Sequence, residues 1–124
     1  MTKNLKPTES ELEILQILWS QGDCTVRTVH EELIKTKDVG YTSTLKLMQI
    51  MHDKGLVSRN TDSKTHIYRS AVNQQATQQQ LVNRLIDNAF NGSAARLVMQ
   101  ALGNKKATTE EIDEIKKYLE NLEK

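Results

Sequence analysis

Apolar residues recur at helical spacing over three successive stretches at the start of the chain, and then the period changes. In "PTESELEILQILWSQGD", residues 7–23, Leu12, Leu15, Leu18 and Trp19 form a stripe that Ile14 and Ile17 widen, the pattern of a helix packed on one side. Thr8 followed three positions later by Glu11 predicts a capping box, in which each side chain satisfies an amide that the helix start leaves unpaired. Gly22 stands where such a helix should stop. In "CTVRTVHEELIKTKDVG", residues 24–40, Thr25 can cap a second helix that buries Val26, Val29 and Leu33. Residues 35–40 then read as a polar turn.

The third stretch, "YTSTLKLMQIMHDKGL" at residues 41–56, has an unusual outside. Placing residues every ~100° around a helix axis puts Leu45, Met48, Met51 and His52 on one side. The other side carries Thr42, Ser43, Lys46, Gln49, Ile50 and Asp53. A helix that only covers a core usually shows water a dense mixture of Glu and Lys, whereas this one shows short hydroxyls, one cation, one amide and a bare Ile. After Gly55 the period drops to roughly two. "LVSRN", a polar "TDSK" tip and "THIYRSAV" are rich in Val, Ile, Tyr and Thr and predict a β-hairpin. Helix, helix, turn, helix, hairpin is the order of a winged helix.

Beyond Val72 the chain is polar and Gln-rich, "NQQATQQQ", before it merges into "LVNRLIDNAF". The spacing of Leu81, Leu85 and Phe90 predicts a long helix from Gln74 to Phe90 with weakly anchored first turns. A short helix capped by Ser93 and stopped by Gly103 follows. The last, in "ATTEEIDEIKKYLENLEK", again opens on a capping box, with Thr108 or Thr109 reaching Glu111 or its neighbour. Leu97 lies on the short helix, and Ile112, Ile115, Leu119 and Leu122 make a narrow seam on the last. Three helices with such narrow seams cannot readily close a core alone, so they call for a second chain. A symmetric homodimer is the simplest solution, because one patch then covers its own copy. The expected fold class is therefore mainly α with a small β-hairpin. Residues 1–72 form a winged helix-turn-helix domain and residues 73–124 a three-helix dimerisation region, with Leu81, Leu85, Leu97, Ile112, Ile115, Leu119 and Leu122 at the seam.

Charge sharpens this picture. The 124 residues carry a formal charge of only +1, so no global basic field announces nucleic acid and the distribution has to be read instead. Residues 9–40 hold seven acids against Arg27, Lys35 and Lys37, a net of −4. Residues 41–72 hold Lys46, Lys54, Arg59, Lys64 and Arg69 against Asp53 and Asp62, a net of +3. The local excess sits on the unusual helix and just beyond it. In a helix-turn-helix that helix enters the DNA major groove, with its first turn at base edges and phosphates. Thr42 and Ser43 allow close approach there, Lys46 supplies charge, and Gln49 can make a paired contact with adenine. Arg59, Lys64, His66 and Arg69 of the hairpin are suited to the backbone beside the groove. A single recognition helix reads few bases, so specificity asks for two copies on a palindrome.

Other classes fare less well. Three amphipathic helices and a hairpin also build modules that dock proteins without touching DNA, and this is the rival expectation. His30, His52 and His66 lie in separate elements with no HExxH spacing, and neither a glycine-rich phosphate loop nor a nucleophile elbow occurs. No enzyme, metal or cofactor is expected. The lone Cys24 excludes an internal disulfide and reads as a small semi-buried hydrophobe. No apolar run exceeds three residues, against the ~20 of a membrane helix. "MTKNLKP" lacks the apolar centre of a signal peptide, so a cytoplasmic location is expected.

"TESELEILQILW", "YTSTLKLMQIMHDKGL" and "HIYRS" together resemble the penicillinase and methicillin-resistance repressor family (BlaI/MecI), which also includes copper-responsive repressors. The resemblance covers nearly the whole chain in three blocks at the family's spacing, and Leu18, Trp19 and the "KGL" at residues 54–56 are its firmest parts. It implies a dimer with an N-terminal winged helix and a three-helix C-terminal region, acting on dyad operators, with Thr42, Ser43 and Lys46 at the DNA. It also implies induction through a membrane receptor whose metalloprotease domain leads to cleavage of the repressor. Departures are specific. Many relatives carry Arg where this chain has Ile50, which points to a different operator sequence. The cleavable Asn-Phe bond of β-lactam-linked members aligns with Gln100 and Ala101, which argues against cleavage there and against a β-lactam inducer. The cysteine pairs of the copper-responsive branch are absent, which argues against metal sensing.

Overall fold

The computed structural model describes residues 6–62, 64–104 and 106–123. Met1–Leu5 and Ser63 of the hairpin tip, which the expectations above include, lie outside these, as do Lys105 and Lys124. The element order is α1 (Glu9–Gln21), α2 (Val26–Leu33), α3 (Tyr41–Lys54), β1 (Val57–Asn60), β2 (Ile67–Ser70), α4 (Gln74–Ala89), α5 (Ala94–Gly103) and α6 (Thr109–Leu122). They fall into two compact units, Met1–Thr77 and Gln78–Lys124.

In the first unit, Ile14, Leu15 and Leu18 of α1 meet Val26, Val29 and Leu33 of α2 and Met48 and Met51 of α3 in one core. Leu56, Val57 and Tyr68 of the hairpin close it. Thr8 and Glu11 form the capping box, with the Thr8 amide donating to Glu11 Oε1 at 2.8 Å. Thr25 caps α2 by accepting from the Thr28 amide at 3.1 Å. Strands β1 and β2 pair antiparallel, Val57 opposite Ser70 and Arg59 opposite Tyr68. A further link was not legible in the sequence. Cys24, buried between α1 and α2, exchanges two backbone bonds with Tyr68 at 2.8 and 3.0 Å, so the α1–α2 connection covers the free edge of β2.

Two buried polar contacts hold α3. At its C-terminal end, Lys54 donates to Glu11 Oε1 at 2.7 Å, although the Glu11 side chain is only 2% exposed. Burial pushes the Glu11 carboxyl up, but the Lys54 and Thr8 hydrogen bonds outweigh it and the net direction is below the ordinary 4.5. Toward its N-terminal end Thr44 is buried, where helical periodicity favoured Leu45 and His52; both of those are half-buried. Its hydroxyl donates to the Gly40 carbonyl at 3.4 Å and lies 2.8 Å from His30 Nδ1. That assignment makes His30 the donor to Thr44. A polar residue can occupy the core here because its hydrogen-bonding capacity is used.

The end of α3 fixes where the hairpin begins. Gly55 takes φ +87°, a left-handed conformation open to glycine at no steric cost. The Gly55 amide then donates to the His52 carbonyl at 3.1 Å and the Leu56 amide to the Met51 carbonyl at 2.9 Å. This is a Schellman motif, and the buried Leu56 and Met51 supply its apolar contact. Trp19 ties the other end of the hairpin to α1, its indole N–H lying 2.9 Å from Ser70 Oγ and 3.2 Å from the Val72 carbonyl.

The start of α4 is better anchored than its Gln-rich sequence suggests. Asn73 Oδ1 accepts from the Ala76 amide at 2.8 Å, and Thr77 is buried. In the second unit Ser93 caps α5 and Thr108 with Glu111 forms the capping box of α6. Neither α5 nor α6 contains a buried residue. Leu85, Val98, Met99, Tyr118, Leu119 and Leu122 are all exposed.

Lys54→Ala strands a buried carboxylate and should lower stability by about 1–2 kcal/mol at pH 7. Because the folded Glu11 carboxyl lies below 4.5, its pairing stabilises above that value and the contribution is lost as pH falls through the lower folded one. Urea unfolding at pH 7 and at about pH 3.5 should therefore show the gap between wild type and variant narrowing in acid. Thr44→Val, which leaves His30 Nδ1 without its partner, should cost about 1 kcal/mol in thermal unfolding.

Candidate nucleic-acid interface

The outward face of α3 carries Thr42, Ser43, Lys46 and Gln49, all exposed. None of the four forms a side-chain hydrogen bond or ion pair with another described residue. Gly40 at the start of the helix offers no side-chain cap. The first amides of α3 therefore lie open beside Thr42 and Ser43, an arrangement that suits an anionic oxygen. Ile50 is 41% exposed on the same flank. Asp53 is exposed at the far end, 3.8 Å from His52 Nδ1.

The hairpin divides its cations between two faces. Arg59 lies opposite Tyr68 and Ser58 opposite Arg69, and paired residues share a face while neighbours along a strand alternate. Arg59 and Tyr68 face inward. Arg59 Nη1 is 3.5 Å from the Tyr68 hydroxyl, and its Nε is buried with no hydrogen-bond partner among the described residues. A cleft of about 360 Å³ lies between the start of α2, α3 and the hairpin, lined by Arg27, Gln49, Arg59, Lys64 and His66 among others. No described acid lines it. Arg69 points to the opposite face, where its Nη2 meets Asp23 Oδ2 at 2.8 Å. Gln49, Arg59 and Lys64 are thus brought together, while Arg69 stands apart.

Two members of this cleft were not singled out from the sequence. The Arg27 guanidinium lies 5.7 Å from the centre of the Tyr41 ring. The His30 ring meets Tyr41 edge-on at 5.4 Å and 82°. Periodicity marks Arg27 merely as an exposed position of α2, and its stacking partner sits across a turn, so only the tertiary fold reveals the pair. The acids of residues 9–40 are largely engaged elsewhere. Glu13 pairs with Lys37 at 3.0 Å, Glu32 with Lys35, Glu11 with Lys54 and Asp23 with Arg69. Burial pushes the Cys24 thiol up, with Asp23 and Glu32 adding to it, the opposite of what a reactive thiolate requires.

Among the described residues no group of three or more His, Cys, Asp or Glu could hold a metal ion. No described helix is long and apolar enough to cross a membrane. In the second unit Leu81, Leu97, Ile112 and Ile115 are half-buried, while Leu85, Leu119 and Leu122 are exposed.

Comparison with known proteins bears on this arrangement. The profile of the family described as penicillinase repressor matches residues 7–121. The penicillinase repressor of Bacillus licheniformis is 21% identical over 120 residues, 97% of this chain and 94% of its own. A transcriptional regulator, BlaI, of Mycobacterium tuberculosis is 33% identical over 69 residues, 55% of this chain and 50% of its own. Among solved structures, a MarR family protein from Bacillus stearothermophilus superposes with a TM-score of 0.52 at 22% identity, covering 97% of this chain and 75% of its own. That likeness shows the fold, in which α1, α2, α3 and the hairpin make a winged helix. The family is one of repressors and not of enzymes. With the profile running from Pro7 to Asn121, the chain belongs to the penicillinase repressor family of winged-helix transcriptional regulators.

Proposed function

We propose that the protein is a homodimeric repressor that binds a palindromic DNA operator through α3 and the hairpin. The observation that carries this is the exposed, unpartnered face of α3 opening onto a cleft lined by cations and by no described acid. Thr42, Ser43, Lys46 and Gln49 face the major groove, and Arg59 and Lys64 meet phosphates at its flank. Arg69 makes a weaker backbone contact from the outer face of the hairpin, since Asp23 already neutralises part of its charge. Each phosphate neutralised releases counterions, so affinity falls steeply with salt.

Dimerisation is supported by the second unit. Helices without a single buried residue, presenting Leu119, Leu122 and Met99 to solvent, gain stability when a second copy covers them. The seam is built from Leu81, Leu85, Leu97, Ile112, Ile115, Leu119 and Leu122. Repression is relieved by a signal from a membrane metalloprotease sensor, as the resemblance implies. Gln100 and Ala101, which align with the bond cut in some relatives, lie inside α5, so that backbone has to unwind before a protease can seat it extended.

An apolar depression beside α3, lined by Leu33, Val39, Leu47 and Ile50 among others, favours the rival role of a protein-docking module. The two are separated by fluorescence anisotropy with a duplex from the promoter of the protein's own gene. A repressor binds it with an affinity that drops steeply as salt rises, and a docking module shows no such affinity. Lys46→Ala should weaken binding by about tenfold while the oligomeric state in sedimentation equilibrium is unchanged; wild-type affinity would remove Lys46 from the interface. The double variant Leu119→Asp, Leu122→Asp should sediment as a monomer and bind the promoter duplex at least about tenfold more weakly, because one recognition helix then acts alone.

A further inference from the structure

We propose that the cleft between the start of α2, α3 and the hairpin is a clamp for one phosphate of the DNA backbone. Arg27 would hold it from the helical wall and Arg59, Lys64 and His66 from the hairpin wall, a role that rests on the DNA-binding function proposed above. Arg27, Lys64 and His66 are exposed and Arg59 is half-buried, so the donors line an open cleft. Basic side chains gathered without an acid repel one another until an anion enters. No described acid lines the cleft itself. Asp23 is held by Arg69 on the other face of the hairpin, and Glu32 is engaged by Lys35.

The helical wall is built in advance. Arg27 lies 5.7 Å from the centre of the Tyr41 ring, which keeps its planar fork from roaming. Tyr41 is in turn met edge-on by His30, and His30 is tied to the buried Thr44. A line of contacts therefore runs from the core to the guanidinium. On the hairpin wall, Arg59 has a buried Nε without a partner among the described residues and a single long bond of 3.5 Å from Nη1. A guanidinium with donors in reserve suits a phosphate, which can accept two parallel N–H bonds. Gln49 lines the same cleft and belongs to the outward face of α3. An anion seated there lies beside whatever α3 meets, which points to a phosphodiester of the bound duplex and not to a free ion. Contacts of this kind set register and orientation without reading sequence.

The test uses the full chain and two duplexes about three helical turns long, one from the promoter and one of arbitrary sequence. Arg27→Ala should weaken both by a similar factor, about three- to tenfold, and lower the slope of log affinity against log salt by about one. Arg27→Lys should restore the slope, because it restores the charge. Arg27→Ala combined with Lys64→Ala should lower the slope by no more than about one in total, because both side chains act on the same phosphate. Thermal unfolding checks that the exposed substitutions leave the fold intact. Wild-type affinity and slope in Arg27→Ala, with wild-type protein binding duplex in a salt-dependent way, would overturn the clamp alone. Absence of salt-dependent duplex binding by wild-type protein would remove the DNA-binding function itself. Titration with inorganic phosphate, followed by the NMR shift of the Arg27 side-chain N–H, distinguishes the source. Saturable phosphate binding lost in Arg27→Ala, with duplex binding unaffected, would make the cleft a pocket for small anions and overturn the clamp.

Discussion

The buried hydroxyl of Thr44, bonded to His30 on α2, and the buried carboxylate of Glu11, bonded to Lys54, fix α3 against two different helices at two points along its length. Apolar packing alone would hold α3 on the core but leave it room to slide or rotate, because methionine side chains such as Met48 and Met51 adapt to many neighbours. Hydrogen bonds with defined partners remove that freedom, since any other register leaves a polar group buried and unpaired. The position of the outward face follows from this. Thr42, Ser43, Lys46 and Gln49 occupy their places because Thr44 and Lys54 occupy theirs.

The same economy explains the modest overall charge. A chain of net +1 can still present a cationic cleft if its carboxylates are engaged elsewhere. Glu11, Glu13, Asp23 and Glu32 each pair with a cation outside that cleft. The pairs of Glu13, Asp23 and Glu32, which lie nearer the surface, contribute little to stability. Their larger effect is on the field, since each neutralises an acid that would otherwise oppose an approaching polyanion.

How much of this was legible in the sequence depends on the range of the interaction. The capping boxes, the stop at Gly22, the apolar stripe of α2 and the change of period after Gly55 are local, and each lies in the structure where the pattern placed it. The stripe of α1 is centred on Ile14, Leu15 and Leu18, with Leu12 and Trp19 half-buried at its edges. The exposed face of α3 is also local, because it follows from what the packed side excludes. Contacts between distant residues were not legible. Thr44 reads as one more short hydroxyl until His30 is seen beside it, and Glu11 reads as a capping residue until Lys54 arrives from 43 positions away. Arg59 and Arg69 look equivalent in sequence, and only strand register assigns them to opposite faces of the hairpin. Asn73 shows the converse. One capping side chain anchors the start of a helix whose Gln-rich composition resembles a linker.

The Schellman turn at Gly55 leaves no slack between α3 and β1. Leu56 and Val57 enter the core immediately after it, so helix and hairpin form a caliper whose jaws are set during folding, before any partner is met. A preset opening costs no ordering entropy at the moment of contact. It also tolerates little variation in what passes between the jaws, so any partner seated there is selected by its local width as well as by its chemistry.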